Sequence, residues 1–224
     1  MSLAGRSHRV SVLGGLGVHP AERLSGAGRR VLAYLAVRSP RALRSLLCME
    51  LWPNMDETRA RANLRRALWQ LPAGWVEVDG PDLVLDAEVD YANATEVAAR
   101  AIGGELLPAT DLKLLLLDLL PGWYDEWLRE HQEQFHLRRV QALEETCRRA
   151  TAMGDLCTAT SAGLSAVTAE PLRESAVTAL VAAHLCEGNR ADAARRYHAY
   201  AALLQTELRC QPGPELQALF SGVS

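Results

Sequence analysis

Lysine is almost missing from this chain. Of 24 cationic side chains in 224 residues, only Lys113 is not an arginine. A GC-rich coding sequence produces the same excess, so the placement of charge carries more meaning here than the identity of the cation. Cysteine is sparse: Cys48, Cys147, Cys157, Cys186 and Cys210 are odd in number, far apart and form no C-x-x-C. That argues against a disulfide framework or a metal knuckle and leaves buried, reduced thiols as the expectation. Long apolar runs are absent too. The strongest, around Leu114–Leu120, is interrupted by Asp118 and falls far short of the roughly 18–20 residues that span a bilayer. The opening "MSLAGRSHRV" has no apolar signal-peptide core, so a cytoplasmic protein away from the membrane is expected.

The motifs of common enzyme chemistry are missing as well. There is no G-x-x-x-x-G-K-[ST] and no H-E-x-x-H. "GGLGV" (14–18) reads as a turn between strands rather than a nucleotide cradle. His131 and His136 lie five apart and do not share a helical face, and the pairs Asp125-Glu126 and Glu144-Glu145 read as solvated faces. The expectation is a protein that is not an enzyme and carries no cofactor and no metal.

What is present is an uneven charge. With 49% hydrophobic and 23% charged residues and a net charge of −3, the composition is that of an ordinary globular protein. Residues 1–72 nevertheless carry +8 and residues 73–224 carry −11. A basic first third joined to an acidic remainder points to a nucleic-acid module followed by something else.

In the first third, "HRVSVLGGLGVH" (8–19) reads as short strands turning at Gly14-Gly15. "GAGRRVLAYLAVRS" (26–39) puts Val31, Leu32, Leu35 and Ala36 on one face of a first helix. "ALRSLLCMELWPN" (42–54) reads as a second helix closed by Pro53-Asn54. "RARANLRRALWQL" (59–71) is a third, with Asp56 or Thr58 as its cap. Two short strands follow, Trp75 to Val78 and Leu83 to Leu85, joined by a turn at Asp79-Gly80-Pro81-Asp82. Strands, three helices and a hairpin, in that order, make a winged helix-turn-helix, whose third helix enters the major groove.

The third helix contains no acid between Arg59 and Leu71. On a wheel at about 100° per residue, Ala60, Leu64, Ala67, Leu68 and Leu71 share the core side. Arg59, Asn63, Arg66 and Gln70 fall opposite, with Arg61 and Arg65 on a flank. Arginine forks suit guanine edges, Asn and Gln suit adenine, and flanking arginines reach phosphates. The hairpin "EVDGPDLVL" is acidic, so its backbone amides would have to meet phosphate, with Arg6, Arg9, Arg29, Arg30, Arg41 and Arg44 supplying the missing field.

Beyond Asp90 the periodicity is helical: 91–102, 111–120, 123–153, 155–169, 171–187 and 190–209, broken at Gly, Pro or Asn. "AMGDLCTA" (152–159) and "CEGNRADA" (186–193) align at a spacing of 34, Gly154 on Gly188 and Ala159 on Ala193. This is the period of tetratricopeptide-like helix pairs, with Trp123–Met153 contributing a degenerate third copy. Trp123 and Trp127, four apart, are expected to share one face in that packing.

"CMELWPN", a short gap, "ARANLRRALWQL" and the hairpin together resemble an OmpR-type winged helix. The likeness is strongest to the version in the actinobacterial Streptomyces antibiotic regulatory protein (SARP) family. The long tract of 105–145 and "AEPLRESAVTALVAAHLCEGNRADAARRYHAYAALLQTELRCQPGPEL" (169–216) resemble the bacterial transcriptional activator domain, on Glu170-Pro171-Leu172-Arg173-Glu174, Gly188, Ala193-Ala194, Tyr197 and Pro212-Gly213-Pro214-Glu215-Leu216. The resemblance places Leu51-Trp52-Pro53 at the end of the second helix and Asn63, Leu64, Ala67 and Leu71 in the recognition helix. Here Pro72 ends that helix early, and "ELRCQP" replaces the usual "ELG". The implied protein is mainly α: a winged helix over 1–89 and an all-α repeat domain over 90–224. The implied function is sequence-specific binding of double-stranded DNA by an activator of transcription, with the repeats serving a homodimer or RNA polymerase. The residues expected on DNA are Arg44, Arg59, Arg61, Asn63, Arg65, Arg66 and Gln70. The competing reading is an interaction adaptor whose winged helix no longer binds DNA.

Overall fold

A computed structural model describes residues 8–221 of the chain. They form six short strands and ten helices in the order β1 (Arg9–Ser11), β2 (Gly17–His19), α1 (Gly26–Val37), β3 (Arg41–Leu43), α2 (Arg44–Leu51), α3 (Glu57–Trp69), β4 (Val76–Asp79), β5 (Asp82–Leu85), β6 (Glu88–Val89), α4 (Asp90–Ile102), α5 (Ala109–Leu115), α6 (Glu126–Met153), α7 (Leu156–Ala169), α8 (Glu174–Cys186), α9 (Arg190–Glu207) and α10 (Pro214–Ser221). The chain divides into two compact units. One comprises Met1–Thr95 with Leu117–His136, the other Glu96–Leu116 with Leu137–Ser224. These ranges cut the chain differently from the expected winged helix over 1–89 and repeat domain over 90–224.

In the first unit, β2-β1-β6 form one sheet and β3-β5-β4 a second. Ser25 opens α1 by accepting from the Gly28 amide at 3.1 Å, and Val31, Leu32 and Leu35 are wholly buried. One expectation shifts here. Residues 41–43 form a strand, not the start of the second helix, because Ala42 pairs with Leu83 in a ladder. The Leu85 amide also donates to the Pro40 carbonyl at 2.7 Å. Helix α2 therefore starts at Arg44, whose amide donates to the Pro81 carbonyl at 3.0 Å. The period of Leu43, Leu46 and Leu47 imitated a longer helix, but Leu43 is half exposed.

The strand β6, unforeseen in the sequence, runs parallel to β1 and delivers Asp90. Its carboxylate accepts from the amides of Val12 at 2.9 Å and Leu13 at 3.2 Å. Burial pushes the Asp90 carboxyl pKa up against the pull of these bonds.

Residues 117–136 fold onto the same unit. Leu13 and Leu119 form an antiparallel bridge, and the Leu120 amide donates to the Val12 carbonyl at 2.8 Å. Gln132 then donates to the carbonyls of Leu119 and Leu120 at 3.0 and 3.2 Å. This pairing is why α5 stops at Leu115 rather than running to 120. Trp123 sits in the turn before α6, so it does not share a helical face with Trp127. Trp127 is buried, its ring 5.0 Å from that of Tyr34.

The second unit holds the repeat. Gly154 and Gly188 both take φ near +80°, at 79° and 78°, the left-handed position that closes a helix and favours glycine. After each, the next amide reaches back one turn: Asp155 to the Ala150 carbonyl at 2.9 Å, Asn189 to the His184 carbonyl at 2.8 Å. The side chains of Asp155 and Asn189 then cap α7 and α9. One 34-residue period thus repeats a whole stop-and-start device. The helix pairs pack through small residues, Ala150, Ala159, Ala162, Ala166, Ala176, Ala179 and Ala183.

Glu144, expected on a solvated face, is 2% exposed. It accepts from Arg173 at 2.9 and 3.1 Å and from Ser175 at 2.5 Å. The thiols are also mixed: Cys48 and Cys147 are buried, but Cys157, Cys186 and Cys210 are exposed. Helix α10, likewise unforeseen, buries Leu216 beside Val177, Val181 and Tyr200.

Two substitutions test this packing. A Cβ at Gly163 would meet the Cys147 sulfur at 2.8 Å and Leu180 carbons at 3.1 and 3.2 Å, so Gly163→Val is expected to destabilise by about 2 kcal/mol or more in denaturant unfolding. Asp90→Ala strands two partly buried amides and is expected to cost about 2–3 kcal/mol, read as a lowered Tm.

Candidate nucleic-acid interface

The sequence dictates how α3 is rotated. Ala60, Leu64 and Ala67 are its buried residues, and they pack where α1 and α2 meet it. The opposite side is therefore turned to solvent. Asp56 caps the helix, accepting from the Arg59 amide at 2.9 Å, and Glu57 adds an acid to the first turn. Both favour the positive end of the helix dipole.

Those two acids also engage the first two arginines. Arg59 lies 3.4 Å from Asp56 and Arg61 lies 2.6 Å from Glu57. Arg59 is 81% exposed, so its pair is screened by water and worth little. Arg65 and Arg66 are exposed and enter no ion pair among the described residues. Gln70 follows the last turn, also exposed, its amide bonded to the Arg66 carbonyl at 3.1 Å. Asn63 is only half exposed, and its side-chain amide donates to the Met55 sulfur at 3.0 Å. Its nitrogen is therefore engaged within the protein, while Arg59, Arg66 and Gln70 stand outward.

Arg44, first in α2, is half-buried, and its Nε is buried without a hydrogen-bond partner. It lines a surface hollow of about 360 Å³ with Thr58, Arg61, Leu64, Arg65 and Leu68. Three arginines from two helices therefore border one concavity, a convergence that the sequence spacing alone did not reveal.

The wing is less acidic than its sequence. The Arg41 guanidinium donates to Asp79 at 2.6 Å and to Asp82 at 2.7 Å, and these bonds hold its pKa above the usual value. One cation on β3 thus bridges both acids at the hairpin tip and reduces their combined charge to −1. The cost is that Arg41 is no longer free. Nor is Arg30, which pairs with Asp125, while Arg9 lies 3.6 Å from Glu88. Arg29 is exposed. Arg6 lies outside the described residues. No group of three or more His, Cys, Asp or Glu among the described residues is arranged to hold a metal ion. No described helix is long and apolar enough to cross a membrane.

Residues 114–223 match the model of the bacterial transcriptional activator domain. The matched segment begins within α5 and follows the strands and helices of the first third. Its fold is similar to that of Mycobacterium tuberculosis EmbR, solved in complex with a low affinity phosphopeptide. The likeness has a TM-score of 0.66 and 21% identity over 97% of this chain and 65% of that one. The chain thus spans about 65% of the length of EmbR. No curated protein matches its sequence.

Because Arg65 and Arg66 make no ion pair among the described residues, Arg65→Ala and Arg66→Ala are expected to leave stability within about 0.5 kcal/mol of the parent. Matching thermal unfolding curves would show it.

Proposed function

We propose that this SARP-like protein is a sequence-specific regulator of transcription, acting in the cytoplasm as an activator. In this reading α3 lies in the major groove of duplex DNA. Arg59, Arg66 and Gln70 address base edges, joined by the Asn63 carbonyl oxygen, while Arg44, Arg61 and Arg65 hold phosphates. The helical part beyond residue 90 serves protein contacts, either a second copy or RNA polymerase.

One observation carries the reading. The outward side of α3 presents Arg59 and Arg66, with Arg61 and Arg65 exposed on its flank, and no acid follows Glu57 on that helix. A merely solvated helix face would interleave acids to pair with its cations. The hollow bordered by Arg44, Arg61 and Arg65 adds a place for a phosphate beside that face. The Arg41 bridge to Asp79 and Asp82 removes much of the repulsion the wing would otherwise offer a polyanion.

The test is retention on DNA against salt, after selection of preferred duplexes from a random library. Binding is expected to weaken steeply with NaCl, because each neutralised phosphate releases counterions. Replacing Arg59 and Arg66 together by alanine is expected to lower affinity by roughly a hundredfold, at about 1–3 kcal/mol per base contact. Equal retention of parent and double variant would remove α3 as the reading helix and favour an adaptor that has lost DNA binding.

A further inference from the structure

Trp69 has no place in the base-reading set described so far, yet its exposure is unusual. It is 85% exposed and, among the described residues, stacks on no other ring. Trp52, Trp75 and Trp127 are all buried. Taking Leu64 as zero, Trp69 falls at roughly 140° around α3, between Arg65 at roughly 100° and Arg66 at roughly 200°, with Ala62 at roughly 160°. The indole thus stands on the cationic side of the helix, not on its edge. Ala62, two turns earlier on the same line, adds almost no bulk, so a ligand can approach that side closely along its length.

From this placement we infer that Trp69 is a specificity-determining contact to DNA, its indole packing on thymine methyl groups and deoxyribose in the major groove. The inference rests on the reading of α3 as the DNA-facing helix and adds an apolar element to it. Charge complementarity selects the occupant. A protein partner covering an indole would meet an apolar surround, whereas the neighbours here are Arg65, Arg66 and Gln70, all exposed. The thymine methyl is the one apolar group that a base pair offers in the major groove. Such a contact excludes water at the end of the helix, where Pro72 prevents a further turn of polar side chains.

The experiment titrates the selected duplex by fluorescence anisotropy at several NaCl concentrations, with the full chain. Trp69→Ala is expected to weaken binding roughly tenfold while the slope of log affinity on log salt stays that of the parent, since an apolar contact releases no counterions. Trp69→Phe is expected to lose less. Arg66→Ala is the contrast, with a slope shallower by about one if it also meets a phosphate, or a base-specific loss if it does not. The tryptophan emission of the parent minus that of Trp69→Phe is expected to shift on adding duplex. Unchanged affinity of Trp69→Ala beside a weakened Arg66→Ala would overturn this inference and leave the DNA reading standing. A change in sedimentation of Trp69→Ala without DNA would also overturn it, by showing that a second copy covers the indole. If the parent itself bound no duplex, the DNA reading would fall first, and this contact with it.

Discussion

Everything proposed for the basic side of α3 depends on the burial of Ala60, Leu64 and Ala67 beneath it. A helix has one rotational freedom about its axis, and an apolar stripe removes it. Sinking Leu64 alone is worth about 2 kcal/mol, more than any exposed arginine pair on the opposite side can oppose. The arginines are thus turned outward by what they are opposite to. The same rotation leaves Trp69 in water, an otherwise poor place for an indole.

A second constraint governs the charges around that helix. Acids that lie close to the basic side are occupied. Asp56 and Glu57 serve the helix start, and Asp79 and Asp82 share one guanidinium. Each of these acids is matched by an arginine, so the positive charge left unpaired on that helix among the described residues is carried by Arg65 and Arg66. The orphan Nε of Arg44 belongs to the same pattern, a cation left incompletely satisfied where three arginines border a hollow.

The repeat unit follows different physics. Its helices meet through alanines and Gly163, so spacing is set by small side chains rather than interdigitated large ones. Such close contact tolerates a buried carboxylate only where it is well bonded, as at Glu144 with Arg173 and Ser175. The paired acids of Glu144-Glu145 looked solvated because sequence shows the charge and not its partner, which lies 29 positions away at Arg173.

The sequence by itself determined the winged-helix order, the capped third helix with its sided arginines, and the 34-residue repeat. Each depends on neighbours within one or two turns, and such patterns are printed in local spacing. Only the tertiary structure decided what depends on distant strands: that 41–43 pair with β5 and not with a helix, and that β6 delivers Asp90 to Val12 and Leu13. It also decided that residues 117–136 join the first unit, that Arg41 quiets the wing, and that Asn63 turns its amide to Met55. In every one of these the partner lies outside the local period, and pairing free energy overrides propensity where a backbone or carboxylate would otherwise be left unsatisfied.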